Sequence, residues 1–166
     1  MQTPALLAGR GFSLRSIVDE DLTWLHDLYA TTRTEEMAPL PWPEIAKRSF
    51  LDQQFGLQHK HYMLHFGDAD FLALAHSQRG PVGRYYLQRA APDHLLVDIS
   101  LFPDMRGQGI GHALIEASQR EARMLDRGMQ LHVSQHNQAA QRLYERLGFA
   151  ITHSAESHRH MRWSPT

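Results

Sequence analysis

The sequence has no cysteine, which excludes disulfide bridges, thiolate metal sites and a covalent cysteine intermediate, and which suits a cytoplasmic protein. It also lacks a surplus of positive charge. Only 17 Lys and Arg stand against 18 Asp and Glu, so the basic footprint expected of a nucleic-acid-binding protein is missing. No apolar run approaches the roughly 18 residues that span a bilayer, and the opening "MQTPALLAGRGF" is too short and unflanked for a signal peptide. No repeat, linker or low-complexity tract divides the chain. Its 166 residues hold one ordinary core and not two. The expectation is a single domain over residues 1–166, with neither membrane nor nucleic acid as partner.

What is present reads as α/β. "FSLRSIV" spaces Phe12, Leu14 and Ile17 for a strand, and Asp19 then serves as the N-cap of a helix reaching about Thr31. "MAPLPWP" is a loop, because prolines leave it no regular structure. A long helix runs from near Pro43 to about Phe66. "DFLALAHSQ" and "PVGRYYLQRA" form two strands joined by "RGP", and "HLLVDISLF" is a more apolar, central strand. A helix from Ile110 to about Asp126, the strand "MQLHVS", a helix capped by Asn137 and stopped by Gly148, and a closing hairpin of "FAIT" and "HRHMRW" complete the chain.

Between the central strand and the Ile110 helix lies "RGQGIG", with glycines at 107, 109 and 111. Strand, glycines, helix is the order that presents backbone N–H groups and a helix dipole to phosphate. A dinucleotide fingerprint does not fit, since G-x-G-x-x-G meets His112 where its last glycine belongs, and the Gly-Lys-Ser/Thr ending of a Walker loop is absent. What remains is R-x-x-G-x-G at Arg106, Gly109 and Gly111. One strand later stands "NQAAQRLYERLGF", residues 137–149. Together the two motifs resemble the GNAT superfamily of acyl-CoA-dependent N-acetyltransferases, over about residues 95–152.

That resemblance implies a GNAT-like fold: a mixed, mostly antiparallel sheet of six to seven strands flanked by about four helices. It implies acetyl-CoA as co-substrate and direct acetyl transfer to a primary amine, on a small molecule or a peptide. It leaves room for a homodimer. It implies that Arg106, Gly107, Gln108, Gly109, Ile110, Gly111 and His112 bind the coenzyme A pyrophosphate through main-chain amides. The backbone of Leu101, Phe102 and Pro103 pairs with the pantetheine arm, Asn137 meets the pantetheine region, and Tyr144 lies near the thioester sulfur. A phenol with pKa near ~10 can protonate a departing thiolate whose thiol has pKa near ~8.5, which makes Tyr144 the candidate general acid. Periodicity alone favours Tyr144 as a core residue on the stripe of Ala140, Leu143 and Leu147; the motif match reverses that preference.

The chain departs from the family at the base. Where many members carry a glutamate, eleven positions before the motif, this sequence has Leu95. Asp98 is the only carboxylate in the strand "HLLVDISLF", and strand parity puts it on the face opposite Leu95 unless a bulge resets it. It stands as a base candidate beside the alternative of a hydrogen-bonded strand aspartate, with proton removal through water also open. The missing glutamate supports a rival reading, a silent acyl-CoA-binding sensor.

For the acceptor, the long helix shows two apolar stripes at about 100° per residue, one of Leu51, Phe55, Tyr62 and Phe66 and one of Phe50, Leu57 and Leu64. Gln54, Gln58 and His61 fall between them and need partners, supplied by a ligand or by the "TRTEEMAPLPW" loop. Glu35 and Glu36 in that loop are placed to attract a cationic amine. No metal is expected: among the 12 histidines, the pairs His61/His65 and His158/His160 each lack a third ligand.

Overall fold

The computed structural model describes residues 1–165. Strands form at Phe12–Ser16 (β1), Asp70–His76 (β2), Gly80–Gln88 (β3), Asp93–Leu101 (β4), Gly128–Ser134 (β5), Ala150–Ser154 (β6) and His158–Trp163 (β7). Helices form at Ala5–Ala8 (α1), Leu22–Thr32 (α2), Thr34–Met37 (α3), Glu44–His65 (α4), Ile110–Met124 (α5) and Gln138–Arg146 (α6). The strands make one sheet in the order β1-β2-β3-β4-β5-β7-β6, antiparallel throughout except between β4 and β5. This is the mixed sheet expected. Two single-turn helices, α1 and α3, join the four longer ones that periodicity located.

The sheet has two unlike faces. On one, Leu72, Leu74, Tyr85, Leu87 and Leu96 pack under α5, and the Tyr85 hydroxyl bonds Ser118 at 2.7 Å. Leu7 of α1 is sealed into this core. The other face is covered by α2 and α4, which share a smaller core of Leu25, Leu28, Tyr29, Met37, Leu51 and Phe55. Between those helices and the sheet lie charged and phenolic side chains.

Two local expectations are corrected. Asp19 does not cap α2. Residues 19–21 form a 3-10 turn, and it is Asp21 whose carboxylate accepts from Val18 N–H and Trp24 Nε1, each at 2.8 Å. The Arg15 guanidinium clasps both oxygens of Asp21 at 2.7 Å and holds its pKa well below the usual carboxylate range. On α4 only the stripe of Leu51 and Phe55 is buried, whereas Phe50, Leu57 and Leu64 are 38, 59 and 75% exposed. The buried arc is narrower than the wheel implied. Gln58 lies inside it, Gln54 at its margin and His61 outside.

Candidate active site

The parallel pairing of β4 and β5 ends early. It runs from Asp93 opposite Gly128 to Leu96 opposite Leu131, after which both strands continue without meeting. The next residue on β4, Val97, is a bulge: Leu87 of β3 faces Leu96 while Tyr86 faces Asp98. A bulge bends and twists its strand, and here it does so where β4 leaves β5. The result is a gap whose near wall is the second half of β4. Phe102 N–H bonds Val82 of β3 at 2.9 Å, so by antiparallel alternation Ile99 and Leu101 turn their backbone groups into the gap. Of the three residues expected to pair with a ligand there, Leu101 offers its N–H to the gap, its carbonyl accepting from Arg106 Nε at 3.1 Å. Phe102 has its N–H engaged, and Pro103 has none.

Residues 106–112 close one end of this gap. Gly107 and Gly109 adopt φ of +75° and +80°, and a Cβ at either would project into open space. Gly109 occupies the N-cap position of α5 with no side-chain cap, and the first helical bond runs from Ala113 N–H to its carbonyl. The N–H groups of Ile110, Gly111 and His112 thus point out of the helix without intrahelical acceptors, and no acidic residue stands in the first turn to neutralise them. Ile110 buries its side chain in the core. Gly111 is different from its two neighbours: a Cβ there would meet Leu143 Cδ2 at 3.3 Å and Ile99 Cδ1 at 3.6 Å. Its missing Cβ makes room for the packing of α5 on α6 and β4, while its N–H stays among the free amides of the first turn. His112 pairs with Glu116 at 2.9 Å. Sequence reading missed the brace behind the loop, Arg10, which donates to the Gln108 carbonyl at 2.9 Å across 98 residues.

Asn137 caps α6, its side chain accepting from Ala140 N–H at 3.2 Å. From the same helix Tyr144 is buried beside Phe149, with ring centroids 6.0 Å apart. Among the described residues its hydroxyl has no hydrogen-bond partner. Burial raises the phenol above its ordinary pKa, and the negative charge of Asp98 adds to the effect. Tyr144 therefore belongs to the core stripe and keeps its phenol protonated.

The bulge resets the parity of Asp98. It faces the same side as Leu95, because Leu95 opposes Gln88 and Asp98 opposes Tyr86, two alternate residues of β3. There it is not a free base. Its Oδ1 accepts from Ser100 Oγ at 2.8 Å and Arg84 Nε at 3.3 Å, and its Oδ2 from Tyr62 Oη at 2.9 Å and Arg84 Nη2 at 3.0 Å. Four donors on two oxygens leave no ready lone pair, so Asp98 is placed as a hydrogen-bonded strand aspartate. Arg84 is buried, and its Nη2 also donates to Gln58 Oε1 at 2.7 Å. Gln58 thus finds its partner in the sheet rather than in the proline-rich loop. Gln54 and His61 do not join this cluster; His61 lies over His65, with ring centroids 4.3 Å apart. Glu35 and Glu36 stand exposed on α3, Glu36 3.7 Å from Arg33. The pointer to Arg84 in the sequence was an arginine inside the otherwise apolar run "PVGRYYL".

Among the described residues no group of three His, Asp or Glu side chains is placed to hold a metal ion, and no helix is long and apolar enough to cross a membrane.

Comparison with known proteins agrees with this geometry. The acetyltransferase (GNAT) family model matches residues 22–149. The peptidyl-lysine N-acetyltransferase YjaB of Salmonella typhimurium is 37% identical over 79 residues, 48% of this chain and 49% of that protein. The match thus spans about half the length of that relative. Among solved structures, the PaiA N-acetyltransferase of Thermoplasma acidophilum in complex with coenzyme A superimposes with a TM-score of 0.69 at 18% identity, covering 92% of this chain and 98% of that one. The spermidine N-acetyltransferase of Vibrio cholerae in complex with CoA and spermine does so with a TM-score of 0.63 at 20% identity, over 93% and 96%. At these identities the structural likeness establishes the fold.

Proposed function

The chain belongs to the GNAT family of acetyltransferases, and we propose that it moves an acetyl group from acetyl-CoA to a primary amine by direct attack within a ternary complex. The observation that carries this reading is the pair of open, positive-φ glycines ahead of an uncapped helix N-terminus, at the mouth of the β4–β5 gap. A cradle without side chains, lined by N–H groups at the positive end of a 15-residue helix, fits a pyrophosphate. The outward groups of Ile99 and Leu101 fit an extended arm laid along β4 as an added strand. When bound, acetyl-CoA supplies an acyl carbon activated as a thioester.

The protein's own residues then have separate tasks. Backbone amides from 107 to 112 hold the anion and leave the charge of the helix terminus where it is needed. Tyr144, its phenol kept protonated by burial, holds the proton that a departing thiolate requires. Asp98 holds Arg84 and Tyr62 in place and removes no proton itself, so the amine enters neutral or loses its proton to water.

A binding-only module remains the second reading, and one observation favours it: β4 offers no unengaged carboxylate in the site, Leu95 standing where many relatives carry an acid. Thiol release from acetyl-CoA in the presence of a panel of primary amines, with calorimetry of coenzyme A binding alongside, separates the two. Amine-dependent release supports transfer. Tight coenzyme A binding without release from any amine supports the sensor, and absence of binding overturns both.

A further inference from the structure

Among the described residues, five buried side-chain atoms have no hydrogen-bond partner: His59 Nδ1, Arg84 Nη1, Tyr86 Oη and both ring nitrogens of His94. His94 sits on the α5 face of the sheet. The other three belong to one place. Arg84 Cζ lies 5.8 Å from the Phe55 ring centroid, 6.0 Å from that of Tyr62 and 5.1 Å from that of Tyr86. His59 stacks on the same Phe55 at 5.6 Å, and the positive charge of Arg84 helps hold its imidazole neutral. Buried polar groups are ordinarily satisfied, so three unsatisfied atoms on side chains grouped around the Phe55 ring and the Arg84 guanidinium call for a partner.

The chemistry of those atoms narrows what binds. The Tyr86 hydroxyl lies beside the Arg84 guanidinium and feels it as a neighbour, but neither Arg84 Nη1 nor the phenol proton has an acceptor in hydrogen-bond geometry, so both call for an oxygen. A guanidinium already fills the aromatic cage, so a substrate ammonium would meet a fixed like charge there rather than an open cation–π site. Arg33, 5.0 Å over the Tyr29 ring, brings a second guanidinium to this side of the sheet, while Glu35 and Glu36 stand exposed and the buried Asp21 is clasped by Arg15. The entrance is not sealed: Gln58, Tyr62, Asp98 and Ser100 above the guanidinium are all partly exposed. We propose that the acceptor amine carries a carboxylate, received by Arg84 Nη1 and Tyr86 Oη with His59 at its side, so that the substrate class is an amino acid and not a polyamine. This rests on the acetyl-transfer reading for the amine and on the unpartnered donors for the carboxylate.

The test uses matched trios with the intact chain: L-lysine, L-lysinamide and cadaverine; L-phenylalanine, its amide and phenethylamine; and further amino acids in the same way, with spermidine as the polycation. Binding is measured by calorimetry and transfer by thiol release. For at least one trio the amino acid is expected to bind tenfold or more tighter than both its amide and its decarboxylated amine. Tyr86→Phe should erase most of that preference while coenzyme A affinity stays unchanged; this variant keeps the ring and the Arg84–Asp98 pair, so it avoids the folding risk of replacing Arg84. Preference for spermidine or for the decarboxylated amines overturns the proposal, as does equal binding across every trio, no binding by any member, or a preference that Tyr86→Phe leaves intact. Carboxylate preference without thiol release would sink the transfer reading alone, and release that favours polyamines would sink this one alone.

Discussion

The two halves of the site are made of different material. The half proposed for coenzyme A is built from main chain: amides of the loop before α5 and the outward groups of β4, with side chains removed or turned away. The half proposed for the acceptor is built from side chains delivered by α4, β3 and β4, and its backbone only holds them. Main-chain recognition is written in consecutive residues, because the same few peptide units form the site. Side-chain recognition is written across the fold, where Gln58, Arg84 and Asp98 come together from three elements.

The sharpest way to break that contrast is Gly109→Val. A β-branched residue at φ +80° carries backbone strain of about 1–3 kcal/mol and moves amides whose charge-assisted bonds are worth about 1.5–3 kcal/mol each. Coenzyme A affinity should fall roughly 10³-fold, measured by calorimetry on folded protein. Gly111→Val sharpens the comparison, because its added carbons meet Leu143 and Ile99. It should cost about 1–3 kcal/mol of stability through overpacking, seen in denaturant melts. Should the two variants behave alike, the division between cradle and packing glycine is wrong.

Tyr144→Phe asks whether a side chain acts at the main-chain half. The ring remains and so does the stripe, so melting temperature and coenzyme A affinity should hold while kcat falls roughly 10²-fold. The deficit should narrow as pH approaches the thiol value near ~8.5, where a thiolate leaves unaided. Because burial raises the phenol, the parent should show no loss of this acid below pH ~10. A rate loss that follows a drop in melting temperature would return Tyr144 to the core.

At the acceptor half, Gln58→Ala removes the partner of Arg84 Nη2 and should raise the acceptor KM about fivefold, as a lost bond of about 1 kcal/mol does. His61→Ala, outside the buried arc, should leave it unchanged. Steady-state kinetics on both variants check the pair, and equal effects would mean that the exposed flank of α4 also touches substrate. The smallest effect is expected from Arg10→Ala. Its exposed bond to the loop steadies Gln108, and losing it should weaken coenzyme A binding about twofold.

Element order was readable from periodicity nearly throughout, since β1, α4, α5 and the hairpin of β6 and β7 carry clear apolar spacing and Asn137 and Gly148 mark the ends of α6. The acceptor cluster was not. Arg84 is an ordinary surface residue until β3 is seen to lie under α4, and alternation leaves the face of Asp98 open to a bulge, which only the paired strand reveals. The wheel placed Gln58 correctly and overcounted its neighbours, since a second apolar stripe on α4 is exposed and only tertiary contact decides which stripe turns inward. Gly111 matched the motif, yet nothing in the spelling distinguishes a glycine that admits a ligand from one that admits a helix.

Val97 has a consequence of phase. A strand counts in twos, so one uncounted residue divides β4 into two halves that run half a period apart. Deleting Val97 would bring the halves back into step. Asp98 would keep its place opposite Tyr86 and Ile99 its place opposite Tyr85, so the excision would remove the bend and not the facing of either side chain. The same excision would straighten β4 alongside β5 and draw the gap shut. A single unpaired residue thus sets the angle at which β4 leaves β5, and with it the width of the gap proposed for the coenzyme's arm.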